Sequence, residues 1–367
     1  MLNRVRASFC SASTSRSTRI RRCRTSSHRG ELHRRGEAVV THGMVLGRFL
    51  PPHAGHVYLC EFAHRWVDDL TIVISVRARD PISGSQRLAW MRELFPFDRV
   101  IRLSMENVKH PSEQPPSRAV LKASLEKVLT VRPDFVFASE PYGADLAQIL
   151  GARFVSVDQA RAVVPVSATC IRTDPFAHWQ HIPRCVRPAF VKRVSILSAD
   201  PTEAGALARA LAEKLGTKWV PEWSGTPRDL NGDSPAGVDW TEVVRGQIAS
   251  EEALARDADR VLICATDPLA TTVWAQLLSG SCPQELHELA RRRYDLTLLM
   301  TPDSSSDTAG VIYPLNAGVD FVGRCERALR AVGRPFVVVN GGWEERTAAA
   351  LRAVEKLTPS HRARELR

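Results

Sequence analysis

Gly47-Arg48-Phe49-Leu50-Pro51-Pro52-His53-Ala54-Gly55-His56 lies between an apolar run, Met44 to Leu46, and an amphipathic run, Val57 to Val67. That order reads as strand, Gly/Pro-rich turn and helix, with two histidines three residues apart at the turn. A turn that follows a parallel strand is where α/β proteins place ligands, and a helix start there offers unpaired N–H groups to a phosphate. Gly47, Pro51 and Gly55 punctuate the turn so that backbone can approach a ligand closely.

Outward from this turn, short β-rich runs alternate with helical ones. Strands are expected at 44–46, 70–76, 100–103, 135–138 and 153–157, with helices at 57–67, 84–95, 118–130 and 144–150. Such alternation argues for a parallel sheet with helices on both faces, and the near-continuous apolar run 70–76 suits a strand covered on both sides. A second series follows Pro183 and Pro188. Its strands are expected at 194–197, 219–220, 260–265, 295–300 and 336–340, and its helices at 203–215, 240–257, 267–278, 283–292, 319–332 and 343–357. The stretches 223–239 and 301–318 read as loops. Two α/β series joined at a proline-marked segment imply two domains, 43–188 and 189–358, followed by a charged tail at 359–367.

The net charge of +10 invites a nucleic-acid reading, so its location matters. Residues 1–42 carry ten Arg, no Lys and two Glu, a net of +8, which leaves +2 for the other 325 residues. The α/β part is nearly balanced, and no nucleic-acid partner is expected. Residues 1–42 lack the apolar core of a secretory signal. A transit peptide, a disordered arm and a start set too far upstream, with Met44 or a nearby codon as the true start, all remain open, and the segment is left out of the fold argument. Eight cysteines are scattered singly without a C-x-x-C pair, which fits free thiols in a reducing cytoplasm better than a zinc site or a disulfide framework. No apolar run approaches the roughly 20 residues of a membrane span, so no membrane partner is expected.

A second stretch suited to anions appears at Val166-Ser167-Ala168-Thr169-Cys170-Ile171-Arg172, where Ser167 can cap a helix and Arg172 adds a fixed cation. The first stretch resembles the G-[KR]-F-x-P-x-H-x-G-H signature of the HxGH nucleotidyltransferase superfamily. The second resembles its partner motif, I-S-x-T-x-[IV]-R. Gln86-Arg87-Leu88-Ala89-Trp90 is similar to the R-x-x-W stretch of the nicotinamide-nucleotide branch. Asp174 to Trp179, with Ile182-Pro183, resembles the segment that follows the second motif in NadR-type proteins, which join a nicotinamide-nucleotide adenylyltransferase to a ribosylnicotinamide kinase. The resemblance runs from about 43 to about 357.

The resemblance implies a Rossmann-like nucleotidyltransferase domain followed by a P-loop-kinase-like domain. It implies transfer of AMP from ATP to nicotinamide mononucleotide, giving NAD and pyrophosphate. His53, His56 and Arg172 would be catalytic, and Gly47, Arg48, Phe49, Gly55, Ser167 and Thr169 would hold ATP. Arg87 and Trp90 would contact the nicotinamide nucleotide. Mg²⁺ would arrive with ATP, with no metal ligands of the protein's own. Two other readings stand beside this one: an HxGH adenylyl- or cytidylyltransferase for another phosphorylated acceptor, and a non-catalytic sensor of NAD or ATP.

The second series departs from the resembling pattern where it matters for phosphate. A P-loop reads G-x-x-x-x-G-K-[ST], but Ser198 and Glu203 stand in place of the two glycines. Ala204 stands for the lysine and Gly205 for the metal-binding hydroxyl, while Asp200 and Glu203 put two negative charges near any phosphate. Ala265-Thr266-Asp267 keeps one acid of an acidic pair, and Ala309-Gly310-Val311-Ile312 lacks the arginine of the lid. Pro221-Glu222-Trp223, Asp267 with Thr271-Thr272, and Gly341-Gly342-Trp343-Glu344-Glu345-Arg346 still look like the family. The expectation is a kinase architecture without kinase activity. Three roles stay open for it: bracing the first domain, forming a homo-oligomer, or binding a nicotinamide compound without turnover.

Overall fold

The structure, a computed structural model, describes residues 40–104, 118–223, 238–302 and 317–358. The arm up to Val39, the lid piece Ala309–Ile312, the tail from Pro359, and most of the loops expected at 223–239 and 301–318 lie outside the described residues.

Met44 and Leu46 point to one face of the first sheet and Val45 to the other, as alternation along a strand requires. Val45 packs with Leu59, Cys60 and Ala63, and Met44 and Leu46 pack with Leu121, Leu125 and Leu146. Helices therefore cover both faces. The strands are β1 (His42–Gly47), β2 (Asp69–Val76), β3 (Arg99–Ser104), β4 (Phe135–Ala138) and β5 (Arg153–Ser156). They pair in parallel in the order β3-β2-β1-β4-β5. Strand order reverses between β1 and β4, and the crevice above that reversal is where a doubly wound sheet binds ligands. The helices are α1 (Ala54–Trp66), α2 (Gly84–Leu94), α3 (Arg118–Glu126), α4 (Tyr142–Leu150) and the short α5 (Ala168–Thr173). His42, which the sequence reading leaves in the arm, opens β1.

Single 3-10 turns at Trp179–His181 and Arg187–Ala189 lead into the second sheet. Its strands are β6 (Lys192–Leu197), β7 (Lys218–Val220), β8 (Val261–Cys264), β9 (Leu296–Met300) and β10 (Phe336–Val339). They are all parallel, in the order β10-β9-β6-β8-β7. The helices here are α6 (Pro201–Leu215), α7 (Trp240–Ala255), α8 (Pro268–Ser279), α9 (Gln284–Leu289), α10 (Ala317–Ala331) and α11 (Trp343–Glu355). The helix expected over 283–292 stops at Leu289, because the chain beyond it turns to let Arg334 bond the carbonyls of Ala290 and Arg292.

The two sheets share a core. Trp90 of α2 and Ile171 of α5 bury together with Trp179, Ile182 and Val186 of the connection and with Val220, Ala258, Leu262 and Tyr294 of the second half. Three polar contacts cross the same seam: Arg256 grips both oxygens of Glu93, Arg184 pairs with Asp257, and Arg260 Nε donates to the Phe176 carbonyl. Burying a side chain such as Ile171 contributes roughly 2–3 kcal/mol, so the second half helps hold the helix that carries Arg172. No described helix is long and apolar enough to cross a membrane.

Candidate functional site

At the carboxyl end of β1 the chain leaves the sheet in a turn held by its own rings. Gly47 is required there because a Cβ would lie 2.9 Å from the Phe49 ring. Phe49 is buried, takes a left-handed φ of 48°, and sets its ring 4.9 Å from that of His56. The sequence reading starts helix α1 at Val57, whereas it begins at Ala54 with His53 as its cap. His53 Nδ1 accepts the Gly55 N–H at 3.1 Å. Both histidines are thus built into the helix start, their ring centroids 3.8 Å apart.

Burial pushes His53 down to about 4, helped by the positive charge of Arg161 and by His181. Burial, His53 and Arg161 hold His56 well below the ordinary histidine range. Both imidazoles are therefore neutral at pH 7. With His53 Nδ1 acting as acceptor, its proton sits on Nε2 and is available for donation. His56 Nδ1 is buried and has no hydrogen-bond partner among the described residues. A buried nitrogen without a partner is costly unless a ligand completes it.

The second motif meets the first across this crevice. Ser167 Oγ accepts the Cys170 N–H at 3.1 Å and caps α5 as its residue type predicts. Arg172 reaches the Leu50 carbonyl of the first turn and donates to Thr169 Oγ1 at 3.1 Å. One arginine therefore ties the two motifs together. The cleft between them is lined by Gly47, Arg48, Phe49, Gly55, His53, His56, Ser167, Thr169 and Arg172, all nine of the expected catalytic and ATP-holding residues.

Arg87 and Trp90, the two residues expected to contact the nicotinamide nucleotide, are not in the lining of that cleft. Arg87 is fully buried, and its guanidinium is spent inside the protein. It bonds the carbonyls of Arg48, Ser75 and Ile82, and pairs with Asp80 at 2.6 Å. Asp80 also pairs with Arg48 at 2.7 Å. Burial opposes ionisation of Asp80, but the Arg77 amide and the two guanidiniums outweigh it and hold the carboxyl below its usual range. Arg87 is thus a positioning residue for Arg48. Trp90 is buried in the core shared by the two halves.

The cleft also contains residues that no motif marks. Tyr142 lies at its wall and donates its hydroxyl to the Leu46 carbonyl at 2.6 Å. Glu140 follows β4, and Asp158 and Arg161 follow β5. Their placement at the carboxyl ends of parallel strands was the available signal. Among the described residues, no group of three or more His, Cys, Asp and Glu side chains could hold a metal ion.

The corresponding turn of the second sheet, after β6, is closed by its own side chains. Asp200 caps α6, its carboxylate accepting the amides of Thr202 at 2.8 Å and Glu203 at 3.4 Å. Glu203 pairs at 3.2 Å with the buried Arg346, which also donates to the Thr301 carbonyl. Asp267 is fully buried, caps α8 through the Ala270 amide and pairs with Arg334 at 2.6 Å. Asp267 and Arg346, two of the pieces that still look like the resembling family, are thus used to hold the fold.

Two parallel α/β sheets in succession, each with helices on both faces, are the fold that this chain shares with solved NadR structures. The chain is NadR-like across both. The trifunctional NAD biosynthesis/regulator protein NadR of Escherichia coli (strain K12) is 27% identical over 285 residues, which cover 71% of this chain and 68% of that protein. Its Salmonella typhimurium counterpart is 27% identical over 283 residues, covering 70% and 68%. A crystal structure of a NadR protein in complex with NAD and AMP-PNP superposes with a TM-score of 0.70 at 21% identity, covering 88% of this chain and 97% of that one. A NadR structure in complex with NR gives 0.72 at 21%, covering 87% and 96%. A family model described as an AAA domain matches residues 205–346, within the second half.

Proposed function

We propose that the first domain, 43–188, is a nicotinamide-nucleotide adenylyltransferase that makes NAD and pyrophosphate from nicotinamide mononucleotide and ATP. The observation that carries this reading is the meeting of the two phosphate motifs in one cleft, tied by Arg172 to the Leu50 carbonyl. A phosphate oxygen of the mononucleotide forms a bond to the α-phosphorus of ATP, the bond from that phosphorus to the bridging oxygen breaks, and pyrophosphate leaves with the electron pair. No group of the protein need form a covalent bond. The chain's work is to position two anions and spread the charge that develops between them.

Each residue has a part in that task. Neutral His53 and His56 donate hydrogen bonds to phosphate oxygens without themselves titrating near pH 7. The start of α1 adds its dipole. Arg172, Ser167 and Thr169 hold the distal phosphates, and Arg48, fixed by Asp80, stands at the other edge. Mg²⁺ is read as part of the ATP substrate. The named ligands of the similar NadR structures, NAD with AMP-PNP and NR, support nucleotides of this class as ligands here. Six free cysteines among the described residues fit a reducing compartment, the cytoplasm.

The second domain, 189–358, is read as a kinase architecture without phosphoryl transfer, because Asp200 fills the helix-start amides and Glu203 engages Arg346. The test is pyrophosphate release from ATP and Mg²⁺ with a panel of phosphorylated acceptors, alongside phosphorylation of nicotinamide riboside. Release with nicotinamide mononucleotide, and no riboside phosphorylation, is expected. Release only with a different acceptor, or saturable nucleotide binding without any release, would replace the reading with one of its two rivals.

A further inference from the structure

The loop between β5 and α5 spends conformational strain to place one side chain. Within four residues Asp158 and Arg161 both take left-handed φ values, 47° and 53°. Asp tolerates that region through local hydrogen bonds, whereas a long side chain has no such help and adopts it only when its surroundings impose it. Here the surroundings are the Asp158 carboxylate, which accepts the amides of Ala162 at 2.7 Å, Val163 at 3.1 Å and Val164 at 3.2 Å. The Arg161 amide closes the turn on the Asp158 carbonyl at 2.9 Å. The outcome of this bracing is that Arg161 lines the cleft with His53, His56, Ser167 and Arg172.

Three arginines then face the same space, and they are held differently. Arg48 is fixed by Asp80 at 2.7 Å, and Arg172 by Leu50 and Thr169. Arg161 pairs with Glu140 at 3.7 Å, and both side chains are about half exposed. A loose, solvated ion pair is easily exchanged, and a triphosphate offers a guanidinium shorter, charge-assisted bonds than a carboxylate at that distance.

We propose that Arg161 is a third phosphate-contacting cation of the cleft, held by Glu140 in the free protein and handed to the ATP phosphates on binding. Asp158 is its positioning residue. This rests on the cleft being an ATP site, as the adenylyltransferase reading holds, but its test does not require turnover.

The test is titration of the full chain with AMP-PNP and Mg²⁺, with thermal unfolding measured in parallel. Arg161→Ala should weaken binding at least tenfold while leaving the unfolding midpoint within a degree, since the side chain is half exposed. Arg161→Lys should recover part of the loss, and Glu140→Gln, which removes the competing anion, should tighten binding about two- to threefold. A purely structural arginine would give neither the lysine rescue nor the opposite sign at Glu140. Binding by Arg161→Ala within twofold of the parent would overturn the inference. A parent chain that binds AMP-PNP but makes no dinucleotide with any acceptor would instead overturn the function reading and leave this inference standing.

Discussion

At Gly47–His56 and again at Ser198–Glu203 the chain leaves the carboxyl end of an inner parallel strand and enters a helix. After β1 the helix start is capped by a neutral imidazole, a second imidazole nitrogen is buried without a partner among the described residues, and cations line the space in front. After β6 a carboxylate of the chain accepts the first amides of α6, and the next acid pairs with a buried arginine. On the proposed reading the first turn takes an anion, whereas the second has its helix-start amides and a buried arginine engaged by Asp200 and Glu203. The same position in two similar sheets thus carries imidazoles and cations in one case and engaged carboxylates in the other. The difference lies in few side chains and not in backbone architecture.

The strongest attempt to break this comparison is Arg172→Ala. Loss of a preorganised donor to developing phosphate charge costs about 10²–10³-fold in turnover, so NAD formation should fall by that factor in a variant that still folds, beyond the small stability cost of losing the bonds to Leu50 and Thr169. Near-parent turnover would remove the first turn from the chemistry.

The next effect is one of pH. His53 sits at about 4 when folded against an ordinary 6.5. Between those values the unfolded chain binds the proton and the folded chain does not. The contribution is fully present above pH 6.5 and is lost as pH falls toward 4, by about 3 kcal/mol at 1.36 kcal/mol per unit. His53→Asn, which can still cap α1, should reduce the pH dependence of denaturant stability in that window, the remainder coming from His56, which is also held low. An unchanged slope would mean that His53 is not a neutral, desolvated cap.

The smallest effect falls on the closed turn. Asp200→Ala removes a helix cap and should cost about 1 kcal/mol in stability, measured by denaturant unfolding. NAD formation should stay at the parent rate. A drop in NAD formation beyond what the stability loss explains would mean that the turn after β6 takes part in the chemistry of the first.

The same contrast explains what could be read from the sequence. The alternating strands and helices were legible because apolar runs such as Leu70–Val76 are covered on both faces. The Ser167 cap was legible because its residue type and position agree. That Ser198–Gly205 does not match a P-loop pattern was legible as well, but the pairing of its side chains was not. That Asp200 would bond the amides of α6, and that Glu203 would find Arg346 143 residues away, depends on tertiary structure. A helix pattern cannot show that Asp80 will pair with the Arg87 guanidinium, so that contact was not legible. Nor was the packing of Trp90 in a core that joins two halves of the chain. Arg161 left no trace because a left-handed, non-glycine residue has no sequence signature.

The claim that one turn takes phosphate and the other supplies its own anions is tested most directly by counting nucleotide sites. Calorimetric titration of the full chain with AMP-PNP and Mg²⁺ should give one site per chain, and that site should disappear in the double variant His56→Ala, Arg172→Ala. Two sites per chain, or one that survives the double variant and is lost on changing Arg346, would contradict the account.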